Sequence, residues 1–413
     1  MRDFFRRMTR VLVLKTMHTG QRSIDLPVTR SVPFFVLAIV CVCISAVGIG
    51  GTIWITARSA PLDWLSYWAS AHQLVRHQNP YGEAPILRLE QLHGFPKNKR
   101  AFMPRNTPNA LFLMAPLGYL SAYAAGFVWR LTLIACVVGS MQLIWIILGR
   151  PRNRWYLIGY CFTPIFMCIV LGQSTLIALL GIVLFLRYCS EKPLLAGAAL
   201  SLCAIKPHLF LVFGVVLLAW IILRRGYKLL AAFVAAVLVE SVIPLYFDAG
   251  VWRHYLEMMR ANGVPAQFRP VLASAVRFLI APHQFWVQFI PALASCVWGI
   301  WYFRRHRNAW DWTKHAPLIL LVSLAVAPYS GAYDCAILLP AILFALYQQE
   351  GISLGILLAS ICAASYQYLR GTSFLSPLYL WQSVFWLVWY LLPQILRQLH
   401  VGPNEYKGQA VTS

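Results

Sequence analysis

Between residues 32 and 398 the chain returns again and again to apolar runs that reach or approach the roughly 20 residues needed to cross about 30 Å of hydrocarbon. That pattern leaves few folds open. A backbone in hydrocarbon must satisfy its polar groups internally, so it forms helices or a closed barrel, and a barrel would show alternating segments of about ten residues. None are visible, so the sequence predicts an all-α polytopic membrane protein. Composition agrees: 60% of the 413 residues are hydrophobic and 12% are charged. The net charge of +22 comes from short basic clusters between the apolar runs, as in cytoplasmic loops, so nucleic acid is not an expected partner. The ten cysteines lie within or at the ends of apolar runs and show no CxxC spacing.

A basic leader over 1–31, with Arg2, Arg6, Arg7, Arg10, Lys15, Arg22 and Arg30, sets the N-terminus in the cytoplasm. A first helix over about 32–56 then exits, and no small-residue cleavage site follows it. The first outer loop, 57–121, carries two amphipathic pieces, Trp64 to His77 and Thr107 to Leu120, which are expected to lie in the interface. Further spans are predicted near 122–148, 156–171 and 174–189. Pro193 to Leu223 should form a hairpin turning at Lys206-Pro207-His208, because proline lacks an amide donor and disfavours helix at the preceding residue. Spans near 229–246, 284–303, 316–328, 335–348, 352–369 and 378–397 complete a transmembrane domain over 32–398, with a cytoplasmic tail from 399 to 413. About twelve transmembrane helices result.

With orientation fixed by basic clusters alone, Asp63, Gln173, Lys206, His208, Tyr329, Tyr333 and Asp334 all fall on the outer side, which predicts one external site. Asp and Glu number only 13 against 35 Lys and Arg, so an acid at a membrane boundary, such as Asp63, is worth weighing. Asp63 also suits an N-cap for a helix beginning at Trp64, with Ser66 at N3, and Asp334 could likewise cap the helix that follows it. Lys206 reads either as a site cation or as a snorkelling anchor, and Gln173 as a sugar ligand or a helix-end partner. Arg105 and Arg130 are further outer-side cations.

Five stretches, in order and at the right spacing, carry a resemblance: DWLSYWASAHQLVRHQNPYGE, PNALFLMAPLGYLS, GQSTLIALLGIVLFL, LLAGAALSLCAIKPHLFLVF and APYSGAYDCAILLPAI. On them the chain resembles glycosyltransferase family 87, polyprenyl-phosphate-sugar-dependent enzymes of the GT-C superfamily. The resemblance implies a GT-C fold in which an Asp of the first outer loop is the catalytic base, and Asp63 is the residue that matches. Met103 to Pro108 departs from the family, which more often has an aromatic followed by prolines there.

Transfer of a sugar from a lipid phosphate needs a base for the acceptor hydroxyl and cations for the departing phosphate. Asp63 is expected in the first role; Lys206, with His208 and Arg105, in the second; and Gln173, Tyr329, Tyr333, Asp334 and Tyr67 against the sugar or acceptor. No P-loop, GxGxxG, HExxH, nucleophile elbow or Asp-x-Asp pair is present, so metal-independent chemistry without a cofactor is expected. The expected enzyme is an inverting glycosyltransferase of the inner membrane. It would move a hexose, mannose first, from a polyprenyl-phosphate sugar to a glycan or glycolipid outside. The rival readings are a flippase for lipid-linked sugars, which should show internal repeats that are not found here, and a glycan polymerase or ligase using diphosphate donors.

Overall fold

The computed structural model describes residues 62–96, 100–261, 268–349, 353–373 and 375–400. The leader, the expected first span over 32–56 and the tail lie outside the described residues. Within them the chain is helical, with no strand. In chain order the helices are α1 (Leu62–Leu74), α2 (Glu83–Leu92), α3 (Ala122–Ile147), α4 (Thr163–Leu171), α5 (Thr175–Tyr188), α6 (Pro193–Leu200), α7 (Leu211–Arg224) and α8 (Tyr227–Phe247). They continue as α9 (Val251–Ala261), α10 (Leu272–Ile280), α11 (Ile290–His306), α12 (Trp312–Ala325), α13 (Leu339–Gln348), α14 (Leu354–Leu369) and α15 (Trp381–His400).

Four helical stretches are long and apolar enough to cross a membrane by length and composition: Ala122–Ile147, Pro207–Arg224, Tyr227–Phe247 and Phe285–Ala309. Five shorter apolar ones accompany them, Trp155–Leu171, Thr175–Tyr188, Pro193–Ile205, Ala332–Gln348 and Leu354–Leu369. Many of the elements expected as spans are therefore shorter than a bilayer, and several begin or end in a turn of 3₁₀ helix. The outward faces of the long helices remain apolar, with Phe127, Leu131 and Val138 on α3, Leu238 and Val242 on α8, and Leu293 and Val297 on α11 exposed. Such faces suit lipid rather than water.

The break expected near Lys206 is present. Lys206 sits at φ −134°, ψ 64°, outside the helical region, and Pro207 starts the second arm. The two arms run in opposite senses. Gly197 meets Leu229 while Ser201 bonds Glu240, so α6 and α8 are parallel. Phe213 meets Ser323 while Trp220 packs on Trp312, so α7 is antiparallel to α12. Glu240, a carboxylate buried within an apolar span, is satisfied by Ser201 and Asn109 and so fastens the 108–110 turn to α6 and α8.

The segment expected as the first outer loop departs from expectation. Instead of lying on the surface, α1 is buried along its length: Trp64, Leu65, Tyr67, Trp68 and Leu74 are covered, and so are Ser66, Ala69, Ser70, Ala71 and Gln73. Small residues on its second face let neighbours close over it, and the hydroxyls of Ser66 and Ser70 donate to Asp63 O and Pro80 O. The cover is the 108–119 segment, two 3₁₀ turns around Leu111–Met114, which was likewise expected in the interface. Its seat on α1 is fixed by the Trp68 indole N–H to Leu120 O at 3.1 Å and by a contact of His72 Nδ1 with Gly118 O at 3.1 Å. A Cβ on Gly118 would stand 2.4 Å from Ala71 O, a backbone atom that cannot swing aside.

Gly118→Ala should therefore destabilise the fold by about 1–3 kcal/mol, as overpacking does. Gly214→Ala, on α7 with nothing within 4 Å of the added carbon, should be neutral or slightly stabilising. Thermal midpoints of the two variants in one detergent check the contrast.

Candidate active site

Five parts of the chain bring the residues singled out in the sequence to a cavity of 680 Å³, which α9, residues 268–269 and Leu375 also line. The first two turns of α1 bring Asp63 and Tyr67, and the irregular 100–107 run brings Arg105. The α4–α5 turn brings Gln173, the α6–α7 break brings Lys206 and His208, and the 329–334 turn brings Tyr329, Tyr333 and Asp334. All nine side chains singled out in the sequence line this cavity. Arg130 does not.

Local structure explains the placements. Gly172 adopts φ 73° at the end of α4, a left-handed turn that glycine makes without strain, and a Cβ there would stand 2.6 Å from Trp64 Cβ. Its carbonyl accepts the Trp129 indole N–H at 2.7 Å. The turn thus delivers Gln173 to Asp63, and the Gln173 amide donates to Asp63 Oδ2 at 2.7 Å. Asp63 lies within α1 rather than ahead of it, so the N-cap reading with a helix starting at Trp64 does not describe it; Ser66 donates to its backbone oxygen, not to its carboxylate. Oδ1 has no hydrogen-bond partner among the described residues.

Lys206 and Asp334 form a buried ion pair at 2.8 Å, with residue exposures of 6% and 3%. The three N–H groups of Lys206 are all engaged, with Gln173 Oε1 at 2.7 Å, Thr175 Oγ1 at 2.8 Å and Asp334 Oδ1 at 2.8 Å. Asp334 accepts from Thr175 at 2.7 Å and caps its own turn through the Gly331 N–H at 2.8 Å. It is the third residue of the Ala332–Leu338 turn, with Gly331 at the N-cap, so the N-cap reading does not describe it, and it also lines the cavity. The Tyr333 ring lies 5.0 Å from Lys206 Nζ, and His208 stacks on Tyr329 with centroids 4.0 Å apart.

Burial pushes the Asp63 carboxyl up to about 6, against the opposing pull of the Gln173 hydrogen bond and of the positive charges of Lys206 and Arg269; Asp334 adds to the rise. A carboxylate held there is largely ionised at neutral pH yet still basic enough to take a proton.

The sequence reading missed Thr175, which follows Gln173 in the quoted GQST, and the cavity's Arg100, Arg269, Tyr255 and Phe268. Arg269 stands between α9 and α10, where no local motif marks it. Among the described residues no three His, Cys, Asp or Glu side chains gather in a way that could hold a metal ion.

The profile of glycosyltransferase family 87 matches residues 105–328, just over half the chain. The chain belongs to glycosyltransferase family 87. It is a membrane glycosyltransferase, and the matched region includes Arg105, Gln173, Lys206 and His208, whereas Asp63 lies before it and Asp334 after it. No curated protein and no solved structure matches the chain.

The run carrying Arg105 is held by a further buried carboxylate. Glu90 of α2 accepts the Phe102 N–H at 3.0 Å through Oε2, while Oε1 has no partner among the described residues. The Tyr81 hydroxyl donates to Asn106 O at 2.9 Å from the other side. Burial raises the Glu90 carboxyl to about 7 from its ordinary 4.5. The sign follows: the folded group prefers its proton, so its contribution to stability is full below about 4.5 and is lost as pH climbs through about 7. Glu90→Gln should flatten the fall in thermal midpoint between pH 5 and pH 8; a fall as steep as the wild type's would place the titration elsewhere.

Proposed function

We propose that the protein is an inverting glycosyltransferase that moves a hexose, mannose first, from a polyprenyl-phosphate sugar to a glycan or glycolipid on the outer face of the cytoplasmic membrane. The observation that carries the reading is the division of labour at Asp63: one carboxylate oxygen is tied to Gln173, and the other is left to a cavity lined by arginine and aromatic side chains. In this reading Oδ1 takes the proton of the acceptor hydroxyl as that oxygen attacks the anomeric carbon. The bond from that carbon to the phosphate oxygen breaks, and polyprenyl phosphate leaves. A single displacement converts a β-linked donor to an α-linked product.

The phosphate was expected at Lys206, but each of its N–H groups already has a protein partner. Direct contact therefore falls first to Arg105, with no hydrogen bond of its own to the described residues, and then to Arg100, Arg269 and His208, which also line the cavity. Tyr67, Tyr329 and Tyr333 supply the flat, amphipathic surfaces that sugar rings favour. For sidedness, the support is the polarity of the bundle. Thr175 of α5 lines the Lys206 network, while Arg187 stands at the helix's far end, about 20 Å away at 1.5 Å per residue. Arg224 and Arg307 meet at that same far end. Basic clusters opposite the cavity are what an external site requires.

A diphosphate-linked donor is the second reading, because three arginines line one cavity. Purified protein in lipid, offered mono- and diphosphate-linked sugars with a membrane glycolipid extract, tests both. Transfer from the monophosphate donor with an α product is expected, and Asp63→Asn should lower turnover by on the order of 10²–10⁴ while donor binding persists. A β product, or undiminished turnover by the variant, would overturn the role of Asp63; transfer from the diphosphate alone would replace the donor.

A further inference from the structure

We infer that Lys206, Thr175 and Asp334 are positioning residues for Asp63, acting through Gln173, and that Lys206 does not bind the donor phosphate. This rests on the reading of Asp63 as the base.

The orientation of the Gln173 amide is forced. Its Oε1 accepts from Lys206 Nζ at 2.7 Å and from the Tyr67 hydroxyl at 3.2 Å, and its Nε2 donates to Asp63 Oδ2 at 2.7 Å. Flipping the amide would turn NH₂ toward an ammonium and a carbonyl oxygen toward a carboxylate, losing both strong bonds. Gln173 therefore converts the position of Lys206 into the position of Asp63. Lys206 is in turn over-determined, since three acceptors hold three N–H groups. Thr175 closes the set by accepting from Lys206 and donating to Asp334 Oδ1 at 2.7 Å. Asp334 is anchored through Oδ2 to the Gly331 amide.

The arrangement runs Asp334, Lys206, Gln173, Asp63, and its members come from four separate elements. Its geometric output is one pinned oxygen on Asp63 and one presented to the cavity. Its electrical output is a charge balance at the base. The titratable groups facing Asp63 are Lys206, Asp334, Arg269, Tyr67, Tyr333 and Cys168. Among them Lys206 holds the carboxyl down and Asp334 pushes it up.

The test uses the full chain in lipid and compares wild type with Lys206→Met, Gln173→Leu, Asp334→Asn and Asp63→Asn, reading kcat, donor KM and the acidic limb of the pH profile. Lys206→Met and Gln173→Leu should each lower kcat by on the order of 10²-fold, as a misplaced catalytic group does, with donor KM within about threefold of wild type. Their acidic limbs should move to higher pH, because each loses a group that favours the ionised carboxylate. Asp334→Asn loses a like charge, so its limb should move to lower pH. Damage to the fold alone would not move the limb in opposite directions. Gln173→Leu leaves the Lys206–Asp334 pair intact and so tests the relay even where Lys206→Met does not fold.

A donor KM raised tenfold or more with kcat preserved in Lys206→Met would return Lys206 to the phosphate and overturn the inference. So would limbs that stay fixed while Asp63→Asn is inactive, which would leave the base reading intact. An Asp63→Asn protein that turns over with an unchanged limb would remove the base reading and the inference together.

Discussion

The interaction on which the architecture depends is the ion pair of Lys206 and Asp334. Taking both charges out of water costs several kcal/mol per ion, and their attraction recovers this only when the remaining hydrogen-bonding capacity is filled. Here it is filled, by Gln173, Thr175 and the Gly331 amide. Removing one partner from such a pair typically costs about 3–5 kcal/mol, because the other charge is left stranded. The pair joins the α6–α7 break to the turn before α13, segments separated by 128 residues. The relative height of those helices is therefore coupled to the geometry at the cavity.

Around that pair, the packing follows from where the chain can afford bulk. Aromatic side chains interlock around Trp312, which meets Phe185 and Trp220 edge-on and Phe213 at a tilt, with Phe185 edge-on to Phe213. Elsewhere small residues and glycines let backbones close in, as where Gly118 rests on Ala71 and, beside the cavity, Gly172 on Trp64. The first arrangement supplies dispersion contact in a setting where lipid competes for apolar surface. The second sets the distances at the site.

Much of this was legible in the sequence because it rests on local rules. Apolar run length gave most helices, the proline after Lys206 gave the break, and Asp63, Gln173, Lys206 and Asp334, polar residues at the ends of apolar runs, do line one cavity. What failed was what depends on tertiary cover. The stretch after Asp63 reads as a surface helix because its pattern mixes Trp, Tyr, Ser and His, yet the 108–119 segment closes over it. Lys206 reads as a free cation because the composition near it is apolar, and its partners Gln173, Thr175 and Asp334 arrive from 31 to 128 residues away. Arg269 has no neighbouring motif at all. A sequence shows which residues are polar in an apolar setting; it does not show which of them neutralise one another.

The unequal lengths of neighbouring helices have a geometric result. α3 runs parallel to α5, with Gly139 beside Leu180, but α3 begins seven residues before the level of Trp129, whose indole meets Gly172 at the start of the α4–α5 turn. At 1.5 Å per residue that carries α3 about 10 Å past the turn that holds Gln173, although no residue of α3 lines the cavity. The Trp129–Gly172 bond therefore acts well inside α3 rather than at its end, where helices fray, so the turn that carries Gln173 hangs from a stiff stretch of helix.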